Sequence, residues 1–353
     1  MGRRGDDPLD SPVPFIVGVP RSGTTLLRAM LASHPDLSIP EEADFLLSMS
    51  VRPWRYERSD GFDLEMFLTD LLEDPHFHSW GVSESEARTA VTEKAPRSLA
   101  DAMRALFLHC ALRDGKTRYG NKTPEAVGAI RRLAHLFPEA RFIHIIRDGR
   151  DVALSNIHTV GFMRSVGEVA LAWTDGIEKG QRGGRILRPN RYWEVRYEEL
   201  VESPEQVLRP LCEYVELDFH PDMLRYYERP LEVLGSTQEG IPAHASLHLP
   251  PTKGLRDWRT QMSKRDRETF EAIAGDVLER LGYKRSVPVV PTRIRLRAIL
   301  VRGYVVTKTF AKERIPFLHP LYVRFVRHYV RRRRQLLNAR YEPRGPNIPP
   351  NVQ

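Results

Sequence analysis

Between a short apolar run and a helical pattern the chain reads Gly18-Val19-Pro20-Arg21-Ser22-Gly23-Thr24-Thr25. Glycines let a backbone wrap an anion, and a helix N-terminus just behind them aims amide donors at it. The spacing is G-x-x-x-x-G, that of a phosphate loop, yet Thr24 stands where a nucleotide kinase carries lysine. That lysine reaches β- and γ-phosphates, so its absence argues against a nucleoside triphosphate. Arg21, inside the loop, supplies positive charge instead, with the hydroxyls of Ser22, Thr24 and Thr25 beside it.

A second cation follows further along. The run Arg141 to Ile146 ends in Arg147, followed by Asp148-Gly149-Arg150-Asp151. P-loop ATPases and GTPases place an aspartate at such a strand end to organise Mg²⁺. An arginine there binds an anion directly. Ser155 lies two turns into the next helix, where its hydroxyl reaches the same anion if the helix folds back. Two phosphate sites at neighbouring strand ends are expected, with no metal required. The competing reading of Arg147 is a structural ion pair with Asp148 or Asp151. His76 and His78 flank Phe77, and His244 and His248 are one helical turn apart. Neither pair has a carboxylate or cysteine at a telling spacing, so no metal centre is expected.

These residues need strands to end and helices to begin at the right places. Val13 to Val19 is short, apolar and closed by Gly18 and Pro20, which reads as a buried strand. Leu26, Leu27, Met30 and Leu31 then share one side of a helix that His34-Pro35-Asp36 ends. Residues 60 to 115 read as mostly helical, with a capping box at Ser83 and Glu86. Pro124 to Phe137 reads as one helix, Arg141 to Ile146 as a strand, and Asp148 as the start of another helix. Tyr192 to Val195 reads as a third strand, and Ser203-Pro204 as a further helix start. Trp80, Trp173, Trp193 and Phe142 read as core. Strands alternating with helices predict an α/β fold, a P-loop-like parallel sheet flanked by helices.

The whole chain sets looser bounds. Its formal net charge of +8 favours phosphate-bearing ligands, acidic substrates or anionic membranes without choosing among them. Two cysteines, Cys110 and Cys212, rule out a disulfide scaffold and read as free thiols in a reducing cytoplasm. No secretory signal or membrane-spanning run is read in the sequence. Composition shifts after about residue 285. The expected division is a catalytic domain over 1–285 and a helical basic extension over 286–353 that ends in a Pro-rich, disordered tail. An amphipathic basic helix over 315–337 fits contact with a membrane surface, a subunit-packing or solvated helix being the alternative. The expected location is cytoplasmic, with peripheral membrane contact through that helix. A homodimer is compatible with the sequence, and no nucleic-acid partner is expected.

At this point the motifs match a known family. The chain resembles the sulfotransferases that use 3'-phosphoadenosine-5'-phosphosulfate (PAPS), most of all the protein-tyrosine sulfotransferase branch and its bacterial relatives. The run Val19 to Leu31 is similar to that branch's 5'-phosphosulfate loop almost position by position, with His34-Pro35 and Glu41-Glu42 at matching spacing. Arg147 and Ser155 match the family's 3'-phosphate pair. Val195-Arg196-Tyr197-Glu198-Glu199-Leu200 matches a third segment, and Lys253-Gly254-Leu255-Arg256-Asp257-Trp258 looks like the lid over the 3'-phosphate. The resemblance spans roughly Phe15 to Tyr283.

The resemblance implies roles. Arg21, Ser22, Gly23, Thr24 and Thr25 hold the 5'-phosphosulfate; Arg147, Ser155, Lys253 and Gly254 hold the 3'-phosphate; Tyr197 lies near the adenine. Lys122, in Asn121-Lys122-Thr123-Pro124, stands near the transferring sulfuryl group, Ser246 contacts the bridging oxygen, and Glu42 is the catalytic carboxylate. The chemistry agrees: a loose transition state needs fixed cations such as Arg21 and Lys122, and an acceptor hydroxyl needs a base. The alternative for Glu42 is a solvated loop residue. One departure stands out. The tyrosine-sulfating branch follows its acidic pair with Thr-Arg, whose arginine helps bind acidic peptide, whereas Ala43-Asp44 follow here. A tyrosyl peptide, glycan, glycolipid or small-molecule alcohol or phenol remains compatible as acceptor. The competing functions are a P-loop small-molecule kinase, lacking its lysine and Mg²⁺-binding aspartate, and a non-catalytic protein that binds polyanions or membranes.

Overall fold

In the computed structural model, strand β1 (Val13–Gly18) is buried along its whole length. The residues described are 11–159, 165–187, 189–228, 247–252 and 257–287, with Thr292 and Ile294. All belong to one compact unit, Met1–Arg295. Ser246, Lys253, Gly254, His244 and the basic stretch 286–353 with its 315–337 helix lie outside the described residues, apart from Ser286, Val287, Thr292 and Ile294.

In chain order the strands are β1, β2 (Leu37–Ser38), β3 (Glu57–Arg58), β4 (Gly61–Phe62), β5 (Arg118–Tyr119), β6 (Asn121–Lys122), β7 (Ala140–Ile146) and β8 (Tyr192–Arg196). The central sheet has the order β6-β1-β7-β8, and all its pairings are parallel. Side chains alternate across a strand, so a sheet covered on both faces feeds two cores. Phe15, Val17 and Phe142 join one cluster, while Ile16, Ile143 and Ile145 join the other.

The helices that bear on the site are α1 (Thr24–Ala32), α2 (Asp44–Met49), α3 (Leu64–Glu73), α4 (Glu84–Glu93), α5 (Leu99–Arg113), α6 (Ile130–Leu136), α7 (Gly149–Thr159) and α8 (Val166–Ile186). After β8 come α9 (Tyr197–Glu202), α10 (Pro204–Tyr214) and later a long helix over Lys264–Arg280. Ser83 and Glu86 form the expected capping box. Among the described residues no helix is long and apolar enough to cross a membrane.

Two expectations need correction. Residues 124–137 are a 3-10 turn, Pro124–Gly128, followed by α6, not one helix. Gly128, a weak helix former, stands at the break. Trp193 is 36 % exposed and lies against Tyr214 at the sheet edge, whereas Trp80, Trp173 and Phe142 are buried as expected. Among the described residues β8 is the last strand on that side of the sheet, and Trp193 and Glu194 are exposed there.

The topology fixes where a ligand can sit. From β1 the chain turns to β6 on one side, and from β7 it turns to β8 on the other. A crevice therefore opens between the carboxyl ends of β1 and β7, the usual ligand position in such sheets. Gly18 is in register with Ile145 there. The first loop and Arg147 thus leave neighbouring strand ends together.

Candidate active site

The loop after β1 owes its shape to two left-handed residues. Arg21 has φ 75° and Gly23 φ 99°. The Ser22 amide closes the turn onto the Val19 carbonyl at 3.1 Å. Gly23 caps α1 with no side-chain hydrogen bond, and no acidic residue stands in the first turn. The amides around Thr24 and Thr25 therefore keep their positive end for an anion. Ser22 is fully buried, and its Oγ has no hydrogen-bond partner among the described residues. A buried hydroxyl left unpaired is costly unless a ligand completes it.

The second motif closes onto the first. Arg21 Nε donates to Ser155 Oγ at 3.1 Å, so α7 does fold back to the loop. Arg147 is buried at the end of β7, donates to the Arg21 carbonyl at 3.4 Å and leaves its Nε unpaired among the described residues. The structural ion pair weighed for Arg147 goes to a different arginine. Asp148 receives Arg150 Nε at 3.0 Å and Arg150 Nη2 at 2.8 Å, as well as Trp258 Nε1 at 3.0 Å. Arg150 continues to Glu271 at 2.7 Å and lies 3.6 Å from the centre of the Trp258 ring. Asp151 accepts from the Trp258 backbone N–H at 2.8 Å. Burial pushes its carboxyl up to about 6, against the pull of Arg147. Sequence spacing does not reveal the Asp148–Arg150–Glu271 clamp or the partnership of Trp258 with it. Trp258 ends the expected lid segment, and it is anchored to Asp148 and Asp151.

Tyr197 connects the two motifs. Its ring lies 4.2 Å from the Arg147 guanidinium, and a Cβ at Gly23 would collide with it. The loop thus needs glycine at 23 for its φ and for the tyrosine packed on it.

On the other side of β1, Lys122 stands on β6 in register with Ile16 and is only 2 % exposed. It pairs with Glu42, whose side chain keeps 35 % exposure. The Glu42 segment is held in place by its neighbours. The Ala43 amide donates to Thr123 Oγ1 at 3.0 Å. Glu41 turns inward to Arg28 at 3.1 Å, which also donates to the Ile39 carbonyl at 2.8 Å. Of the two adjacent glutamates, then, one is buried against Arg28 and the other is part-exposed against Lys122.

Two further carboxylates join Glu42. Oxygens of Glu42, Asp44 and Glu125 all lie within 4.8 Å of one another, the arrangement among the described residues that could hold a metal ion. Glu125 is exposed as a residue, yet its carboxyl is pushed upward by desolvation of its acid end and by the neighbouring Asp44 and Glu42. Asp44 is raised by burial, and His76 opposes that shift from 3.3 Å. His76 also meets Asp74, two residues earlier in the chain, at 3.0 Å, so two carboxylates bracket this histidine. Asp44 is far from His76 along the chain, which is why spacing could not reveal it.

The chain is also similar to known proteins. The model of the sulfotransferase family matches residues 12–221, more than half of the chain, a range that leaves out Ser246, Lys253, Gly254, Trp258 and Glu271 among the site residues named above. Protein-tyrosine sulfotransferase 1 of Danio rerio is 28% identical over 283 residues, which is 78% of this chain and 73% of that protein. The nodulation protein NoeE of Sinorhizobium fredii is 27% identical over 335 residues, 86% of this chain and 73% of that protein. Among solved structures, the sulfotransferase domain from the Synechococcus PCC 7002 olefin synthase is 26% identical, with a TM-score of 0.55 over 80% of this chain and 99% of that domain. The sulfotransferase domain from the curacin biosynthetic pathway shares the fold at a TM-score of 0.55 and 21% identity, covering 78% of this chain and 98% of that domain. The chain belongs to the sulfotransferase family.

Proposed function

We propose that this PAPS-dependent sulfotransferase removes the acceptor's proton with Glu42 and stabilises the transferring sulfuryl group with Lys122. The observation that carries this reading is their ion pair: a buried lysine on β6 meets a part-exposed carboxylate at the mouth of the crevice. A base must be open to the acceptor, and a fixed cation must not move when charge develops; burial divides those duties between the two residues.

The donor's two anionic ends have separate seats in this reading. Arg21, Ser22, Gly23, Thr24 and Thr25 hold the 5'-phosphosulfate, with Ser22 Oγ and the uncapped α1 amides as donors. Arg147 and Ser155 hold the 3'-phosphate, and the unpaired Arg147 Nε is the group that would meet it. Tyr197 orients Arg147 and borders the adenine. Lys253 and Gly254 belong to a lid over the 3'-phosphate, and Ser246 to the bridging oxygen. No metal is assigned a role.

Sulfotransferases act on hydroxyl acceptors, and this chain's acceptor is such a compound. Calorimetry with adenosine-3',5'-bisphosphate tests the donor site. The wild type is expected to bind it and to ignore ATP with Mg²⁺. Arg147→Ala and Ser155→Ala each remove an anion contact and are expected to weaken binding by roughly tenfold or more, since charged hydrogen bonds contribute about 1.5–3 kcal/mol. Unchanged affinity in both variants, or preference for ATP with Mg²⁺, overturns the assignment.

A further inference from the structure

We propose that Arg21 is a positioning residue of the 3'-phosphate seat as well as a contact of the 5'-phosphosulfate, so that one residue reads both anionic ends of the donor. The inference rests on the reading of Arg147 and Ser155 as the 3'-phosphate seat.

Both residues of that seat lean on Arg21. Its Nε donates to Ser155 Oγ at 3.1 Å, and its carbonyl accepts from Arg147 Nη1 at 3.4 Å. Three elements meet there: the loop after β1, the end of β7 and the second turn of α7.

The loop is bent to make both contacts. Arg21 has φ 75°, in the left-handed region that residues with a Cβ avoid. The Ser22 amide closes the turn in that shape on the Val19 carbonyl. Glycine would take this φ without strain. An arginine here makes use of its side chain and of its own carbonyl at once.

The contact with Ser155 has a chemical consequence. A serine hydroxyl carries one proton and two lone pairs. With a lone pair engaged by Arg21 Nε, the proton is what Oγ offers to an anion. Accepting from a guanidinium also polarises the hydroxyl and strengthens the bond it donates. Ser155 and Arg147 are 5% and 7% exposed, so little water competes to orient them. Arg147 is fixed between the Arg21 carbonyl and the Tyr197 ring, 4.2 Å away. Losing the Arg21 side chain therefore loosens Ser155 while leaving the main-chain prop of Arg147 in place. Coupling of this kind is reciprocal. A 3'-phosphate that fixes Ser155 also fixes the guanidinium that serves the 5' end.

The test compares adenosine-3',5'-bisphosphate with adenosine-5'-monophosphate on the full chain, by calorimetry, in competition with the bisphosphate where direct binding is weak. The ratio of the two dissociation constants reports the 3'-phosphate alone. Wild type is expected to favour the bisphosphate by at least roughly tenfold. Arg21→Asn accepts the left-handed φ but is too short to reach Ser155. It is expected to weaken both ligands and also to shrink the ratio several-fold. Arg21→Gly, which takes the φ without strain, is expected to do the same, and circular dichroism checks that both fold. In a Ser155→Ala background, Arg21→Asn is expected to change the ratio little, because the residue it acts through is gone.

A ratio that both Arg21 variants leave at the wild-type value overturns the proposal and confines Arg21 to the 5' end. So does a reduction of the same size with and without Ser155. Failure of the underlying reading looks different. In that case Arg147→Ala and Ser155→Ala themselves leave the ratio unchanged.

Discussion

Glu41 and Glu42 are adjacent in the chain, yet Glu41 pairs with the buried Arg28 and Glu42 with the buried Lys122. The Arg28 pair is closed to water, with side-chain exposures of 3% and 8%. It locks the segment between α1 and α2 and thereby aims its neighbour at the crevice. Removing one partner of a buried pair leaves an uncompensated charge, at a cost of about 3 kcal/mol or more. Glu41→Gln is therefore expected to lower stability by about that much in urea unfolding. Glu42→Gln also strips the buried Lys122 of its carboxylate, but water reaches the Glu42 side of that pair, so it is expected to cost less than Glu41→Gln. Equal losses would mean that the two glutamates are not divided in this way.

Gly23 is expected to tolerate no side chain. Its φ of 99° is unfavourable for other residues, and the Tyr197 ring occupies the space of a Cβ. Gly23→Ala should fold, as judged by circular dichroism, but bind adenosine-3',5'-bisphosphate at least roughly tenfold more weakly, the effect of removing one charge-assisted hydrogen bond. Wild-type affinity in a folded Gly23→Ala protein contradicts the packing described here.

Much of this site was legible because its motifs are local. A strand end, glycines and a helix start lie within a few residues of one another at Gly18 to Thr25, and Arg147 with Ser155 repeats the pattern one strand over. Neighbouring strand ends then bring the two together, as the Arg21–Ser155 hydrogen bond shows. The acceptor end was less legible. Lys122 lies on a two-residue strand too short for any periodic pattern. Arg28 with Glu41, Arg150 with Glu271, and Asp44 with Glu125 meet only through the fold. Trp193 misled because an apolar residue in an edge strand resembles one in a central strand until the sheet order is known.

His144 supplies a pH dependence of stability. It is fully buried on β7, hydrogen-bonded through Nδ1 to Tyr192 at 2.6 Å, and burial pushes it down to about 3. The unfolded chain takes up a proton near pH 6.5, whereas the folded chain resists it. The unfolded state thus binds more protons between about pH 6.5 and 3, and stability falls as pH drops through that window. Between pH 7 and pH 5, wild type is expected to lose about 2 kcal/mol more than His144→Phe in urea unfolding. A difference between the two that does not change with pH contradicts a neutral buried His144.

Metal dependence separates the sulfotransferase account from kinase chemistry at the same loop. Lys122 already places a fixed cation against Glu42. Turnover with PAPS is expected to persist in excess EDTA. Complete loss that Mg²⁺ restores would assign the Glu42, Asp44 and Glu125 cluster to a metal ion instead.

The most direct measurement is turnover of Glu42→Gln and Lys122→Ala against phenols of graded acidity. Glu42→Gln is expected to lose about 10²–10⁴ in kcat on a weakly acidic phenol, while donor affinity by calorimetry stays within a few-fold. A phenol already ionised at the assay pH needs no base, so it should recover much of that loss. Lys122→Ala should also lose turnover, but without recovery, because the missing group stabilises charge in the transition state and not the departing proton. That split is the result the account predicts. Equal recovery in both variants, or near-normal turnover in Glu42→Gln with the weakly acidic phenol, would contradict it and remove Glu42 from the role of base.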